Sequence, residues 1–213
     1  PTRRSSDLTA AWAQSLRYTS FDGALVLGRI VHPSDPSLPD ANATRRPVLL
    51  ALHAMGRTQW RWWQGEFKGR PTIESTHLLA ERALQAGHVV IAIDAREHGD
   101  RKDPQRPLLA RELLRNLHLW GEREPYERLI VDTVKDYRVL LDWIDRQPQL
   151  DGARVRAAGY SMGAQMALLL AERIRGWIGD SMVSALEKLM GLVLTAVAIE
   201  MVLAGLKRYF FEP

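Results

Sequence analysis

A chain of 213 residues with 46% hydrophobic and 25% charged side chains has the make-up of one globular domain, or of one domain with an appendage. The net charge of +4 comes from scattered arginines, with no basic stripe and no interleaved aromatics, so nucleic acid is not an expected partner. The lack of cysteine excludes disulfides and thiolate metal sites, and leaves the redox compartment open.

No secretory signal is read at the start, because the first apolar run is short and follows no charged segment. The opening Pro1-Thr2-Arg3-Arg4-Ser5-Ser6-Asp7-Leu8 resembles a translated sequencing adapter and is set aside as a non-native scar. Leu16 to Phe21 and Ala24 to His32 read as two strands around the turn Asp22-Gly23. Pro33 to Arg46 is rich in Pro, Ser, Asp and Asn and reads as a surface loop. Pro47 to His53 is a short apolar run, which suits a strand buried on both faces. Trp60, Trp62 and Trp63 crowd the next loop with Phe67. They either line an acyl pocket or form the underside of a long loop.

Ile73 to Ala86 has apolar residues at helical spacing, with Gly87 at its exit. His88 to Asp94 reads as the next buried strand. Lys102 to Glu124 is polar with apolar patches, and an insertion near the site is expected there. Pro125 opens a long helix, Tyr126 to Arg146, with Pro125 at its first position. Another strand is expected to begin near Arg154. From Val48 onward the pattern alternates strand and helix, which predicts a doubly wound, mostly parallel α/β sheet.

The most informative stretch is Val155 to Ala167. A β-prone run meets Gly159-Tyr160-Ser161-Met162-Gly163, and a helix-forming apolar run follows. That is the strand–turn–helix setting of a nucleophile elbow. The start of the helix would aim backbone N–H groups at a developing oxyanion. His53-Ala54-Met55-Gly56 follows the Pro47 strand, and Asp94-Ala95-Arg96-Glu97-His98-Gly99 follows the next one. His98 and Asp94 alone supply too few ligands for zinc at this spacing, so no metal and no cofactor are expected.

With these three motifs in this order, the chain resembles the α/β-hydrolase superfamily from about Leu16 to about Leu170, closest to dienelactone-hydrolase-like and acyl-esterase-like members. The resemblance implies Ser161 as the nucleophile on a small-molecule acyl ester, with the backbone N–H groups of Met162 and Met55 as oxyanion donors. In that family a histidine base follows the serine. Here all six histidines precede it. His53 and His98 are the substitute bases to consider. Impaired catalysis is therefore expected. The rival readings are a membrane-associated protein defined by its C-terminal apolar helix and a non-catalytic hydrolase-fold binding module.

Residues 9–172 are read as a truncated hydrolase core, and 173–213 as an apolar helical tail foreign to it. Leu189 to Leu206 is apolar on all sides, and its eighteen residues approach the length that spans a bilayer. Residues 178–210 resemble the last transmembrane segment of MarC-type inner-membrane proteins. That resemblance implies membrane contact through 189–206 for a chain whose hydrolase part is expected in the cytoplasm. If no further strand follows the serine, its strand becomes an open edge that invites self-association.

Overall fold

The structure is a computed structural model. It describes residues 12–34, 45–67 and 69–171. Strand β1 (Ala13–Thr19) and strand β2 (Leu25–Val31) form the expected antiparallel hairpin. Its turn is closed by the Ser20 N–H on the Ala24 carbonyl at 2.9 Å and by the Ala24 N–H on Asp22 Oδ1 at 3.2 Å. An Asp side chain that accepts from the backbone two residues on is what favours Asp in such turns.

Strands β3 (Arg46–Leu52), β6 (Val89–Ile93) and β7 (Leu150–Gly159) are parallel to one another. The sheet runs β1-β2-β6-β3-β7. It is mixed rather than mostly parallel, because the short hairpin at residues 20–24 makes β1 and β2 run opposite ways and β2 then pairs antiparallel with β6. Strands β4 (Glu66–Phe67) and β5 (Arg70–Pro71) form a separate small ribbon.

Every residue of β6 is buried, as its unbroken apolar run predicts. Alternate residues serve two cores. Val90 and Ala92 join Leu49, Ala51, Trp62 and Trp63 on one face, under helix α1 (Thr76–Gln85). Val89, Ile91 and Ile93 join Val48, Leu50 and Leu52 on the other, under helices α2 (Leu109–Trp120) and α3 (Arg123–Asp145).

The structure adds to one expectation and corrects two. The stretch Lys102 to Glu124 contains a regular helix, α2, which packs Ala110, Leu113, Leu114 and Leu117 against the core. Pro125 is the third residue of α3, not the first. The position still tolerates it, because the first four N–H groups of a helix have no intrahelical partner. Strand β7 starts at Leu150, and a register irregularity before Val155 accommodates the Asp151–Arg154 ion pair.

Helix α4 (Met162–Ala171) follows β7. The chain divides into Pro1–Leu170 and Ala171–Pro213. The apolar tail at 189–206 lies outside the described residues. Among the described residues no strand pairs with the outer side of β7, and no helix is long and apolar enough to cross a membrane.

Candidate active site

The parallel strands end together at Leu52, Ile93 and Gly159, so the three following loops gather at one end of the sheet. Carboxyl ends of such strands are where α/β folds bind ligands. Ser161 sits on the turn between β7 and α4. Its φ is 55°, a left-handed conformation that a non-glycine residue adopts only when its surroundings impose it. Its side chain is exposed. The turn is closed by the Gly163 N–H on the Tyr160 carbonyl at 3.0 Å and the Ala164 N–H on the Ser161 carbonyl at 2.9 Å.

Gly159 and Gly163 make this turn possible. A Cβ at Gly159 would lie 2.1 Å from the Gly163 carbonyl. A Cβ at Gly163 would lie 2.1 Å from the Leu52 carbonyl oxygen and 2.9 Å from that of His53. The first turn of α4 therefore rests on the end of β3. This contact brings the loop Ala54-Met55-Gly56 to the elbow. Met162 opens α4, so its N–H has no intrahelical acceptor. Among the described residues nothing accepts from the N–H of Met162 or of Met55.

The two substitute bases are otherwise engaged. His53 is buried, and its Nδ1–H donates to the Ala54 carbonyl at 2.9 Å. Its Nε2 accepts from the Ala95 N–H at 2.9 Å. His98 is equally buried, its Nδ1–H donates to the Arg96 carbonyl at 2.8 Å, and its Nε2 accepts from the Gly56 N–H at 3.0 Å. Burial pushes the His53 imidazole down to about 3, and the nearby His98 adds to the shift. Burial also lowers His98. Asp94 Oδ1 lies 3.9 Å from His53 Nε2, but a neutral ring makes this proximity and not an ion pair. Neither ring offers a free lone pair to Ser161. All six histidines are described, and none hydrogen-bonds the Ser161 hydroxyl.

Two of the three tryptophans fit the second of their two readings. Trp62 and Trp63 are core residues on the α1 face of the sheet, and Trp63 Nε1 donates to Gln59 Oε1 at 3.0 Å. Trp60 lies at the surface beneath the Arg29 guanidinium, 4.3 Å from its ring centre.

Behind the loops lies a charge network centred on a residue that sequence reasoning missed. Asp136, on α3, is fully buried. It accepts from the Ser20 hydroxyl, from Arg96 Nη2 at 2.9 Å and from Arg101 Nη1 at 2.8 Å. Arg96 also grips Asp22 through two bonds of 2.7 and 3.0 Å, which holds that carboxyl down to about 2. The available signal was its place on the apolar stripe of α3, between Thr133 and Leu140. Asp94 supports the same floor, accepting from the Gln59 N–H at 2.8 Å and the Asp100 N–H at 3.1 Å. Burial raises Asp94 to about 6.

Residues 48–211, well over half of the chain, match the sequence pattern described as the alpha/beta hydrolase family. The chain belongs to this family. The family match continues across the tail to residue 211, whereas the resemblance carried by the three motifs reaches only about Leu170. The chain is similar to several solved structures. One is the esterase Pf2001 of Pyrococcus furiosus, at 17% identity over 79% of this chain and 49% of that one, with a TM-score of 0.47. Another is a cold-adapted esterase from an Arctic intertidal metagenomic library, at 20% identity over 75% of this chain and 54% of that one, TM-score 0.47. A third is a dienelactone hydrolase-like promiscuous phosphotriesterase from metagenomic libraries, at 19% identity over 76% and 55%, TM-score 0.43. The chain spans about half the length of these structures. No curated protein matches it. The likeness of residues 178–210 to MarC-type proteins has no counterpart in these findings.

Proposed function

We propose that this hydrolase acts on carboxylic esters or similar acyl substrates through an acyl-enzyme on Ser161. The observation that carries the reading is the exposed serine at φ 55°, on a turn whose two glycines press the start of α4 onto the end of β3. In the reaction Ser161 Oγ bonds to the acyl carbon, and the carbonyl electrons move onto oxygen. The N–H groups of Met162 and Met55 stabilise that oxyanion. Its collapse expels the alcohol, and water then releases the acid. No cofactor is needed.

The hydroxyl proton requires an acceptor, and no imidazole of these 213 residues reaches it. Turnover by this chain is therefore expected to be slow. In serine hydrolases, loss of a triad member leaves roughly 10³–10⁴-fold acceleration over water. A fluorophosphonate reports on the nucleophile directly. Labelling at residue 161 that disappears in Ser161→Ala supports the proposal, and undiminished labelling of the variant overturns it. Ester binding without labelling would favour a binding module instead.

Two further proposals stand on separate features. The apolar run Leu189–Leu206 contacts a membrane, which predicts carbonate-resistant retention that is lost on its deletion. The outer side of β7 supports self-association, and a monodisperse monomer by light scattering would contradict this.

A further inference from the structure

The loops after β3 and β6 are cross-linked by two imidazoles in a reciprocal pattern. His53, in the first loop, accepts from the Ala95 N–H in the second at 2.9 Å. His98, in the second, accepts from the Gly56 N–H in the first at 3.0 Å. The ring centres lie 5.2 Å apart. In each ring the other nitrogen donates to a carbonyl one or two residues away, so both carry hydrogen on Nδ1 and a lone pair on Nε2. Gly56 directly follows Met55, and both lie inside a tight turn closed by the Arg57 N–H on the Ala54 carbonyl at 3.1 Å. Tilting the Gly56 peptide would swing the Met55 peptide with it.

We propose that His98 is a positioning residue for the oxyanion donor: through the Gly56 N–H its Nε2 holds the Ala54–Arg57 turn so that the Met55 N–H faces Ser161. His53 braces the opposite loop in the same way. The proposal rests on Ser161 being the nucleophile. Protonation of Nε2 would set donor against donor and release the turn. The charges around His98 oppose that event. Lys102 and Arg111 both lower its basicity, and the Arg111 Nε lies 3.2 Å from where a Gly56 Cβ would stand. His53 faces His98 and, at 3.9 Å, Asp94, whose oxygens are already taken by the Gln59 and Asp100 N–H groups. The latch stays closed through the neutral range and opens only in acid.

Two variants separate positioning from packing. His98→Ala removes the acceptor, whereas His98→Gln places an amide oxygen near the former Nε2. A neutral fluorophosphonate should modify Ser161 roughly tenfold to a hundredfold more slowly in His98→Ala, and His98→Gln should recover most of the rate. Equal rates in the two variants, or an unchanged rate in a folded His98→Ala, overturns the proposal. A second measurement needs no reaction. In ¹⁵N-labelled protein, scalar coupling between the Gly56 nitrogen and His98 Nε2 should be present at neutral pH. It should vanish in acid, together with a shift of the Met55 amide. Absent coupling at neutral pH, or a Met55 amide that stays unmoved when coupling is lost, overturns it. An intact coupling beside an unreactive Ser161 would sink the nucleophile reading instead, and with it the catalytic purpose of the latch.

Discussion

Gly163 shows how little room the site has. Adding one carbon there sets it 2.1 Å from the Leu52 carbonyl oxygen, a backbone atom that no rotamer change can clear. Gly163→Ala should therefore cost about 3 kcal/mol, read as a lower urea midpoint, and should also suppress fluorophosphonate labelling. Asp136 makes the complementary case. Removing its carboxylate leaves Arg96 and Arg101 facing a void, and breaking a buried pair in this way costs about 3–5 kcal/mol. Asp136→Ala should lower the urea midpoint by far more than Asp132→Ala, whose contacts lie nearer the surface. Ser161 was legible in the sequence because a turn this tight needs glycines at fixed offsets. Asp136 was not, because a carboxylate in a helix reads as a solvated position until its partners from two distant loops are known.

At the scale of elements, the strands were the readable part. Buried runs such as Val89–Ile93 carry their own signature, since a strand covered on both faces has no polar positions to interrupt it. Helix α2 was hidden because its apolar residues are diluted by Arg111, Arg115 and Asn116. The aromatic cluster after β3 could not be assigned to a face from sequence, because a loop has no periodicity to orient it. Its burial against α1 and the sheet gives an expected outcome: Trp62→Ala should cost about 3–5 kcal/mol by denaturant unfolding. A tryptophan lining only an open pocket would cost much less.

For the whole molecule, the titrating groups set a pH profile. His53 is held down to about 3 from an ordinary 6.5, so below 6.5 the unfolded chain takes up a proton that the folded chain refuses. Stability is complete above about 6.5 and falls as the pH drops toward 3. His98 acts in the same direction, and Asp22 adds its loss between 3.8 and about 2. Asp94 opposes them, because its raised pKa lets the folded state take a proton first, between about 6 and 3.8. The melting temperature should fall from pH 6.5 toward 3, and His53→Gln should flatten that decline. A wild-type melting temperature that holds steady across this range would contradict the assignment of a neutral, buried pair.

The backbone twist at residue 161 carries an evolutionary implication. Glycine accepts a φ of 55° freely, whereas any L side chain is strained there by about 1 kcal/mol. Ser161→Gly should thus melt higher than Ser161→Ala. A laboratory lineage selected only for heat tolerance would drift toward glycine at this codon, trading away its hydroxyl for a more relaxed chain.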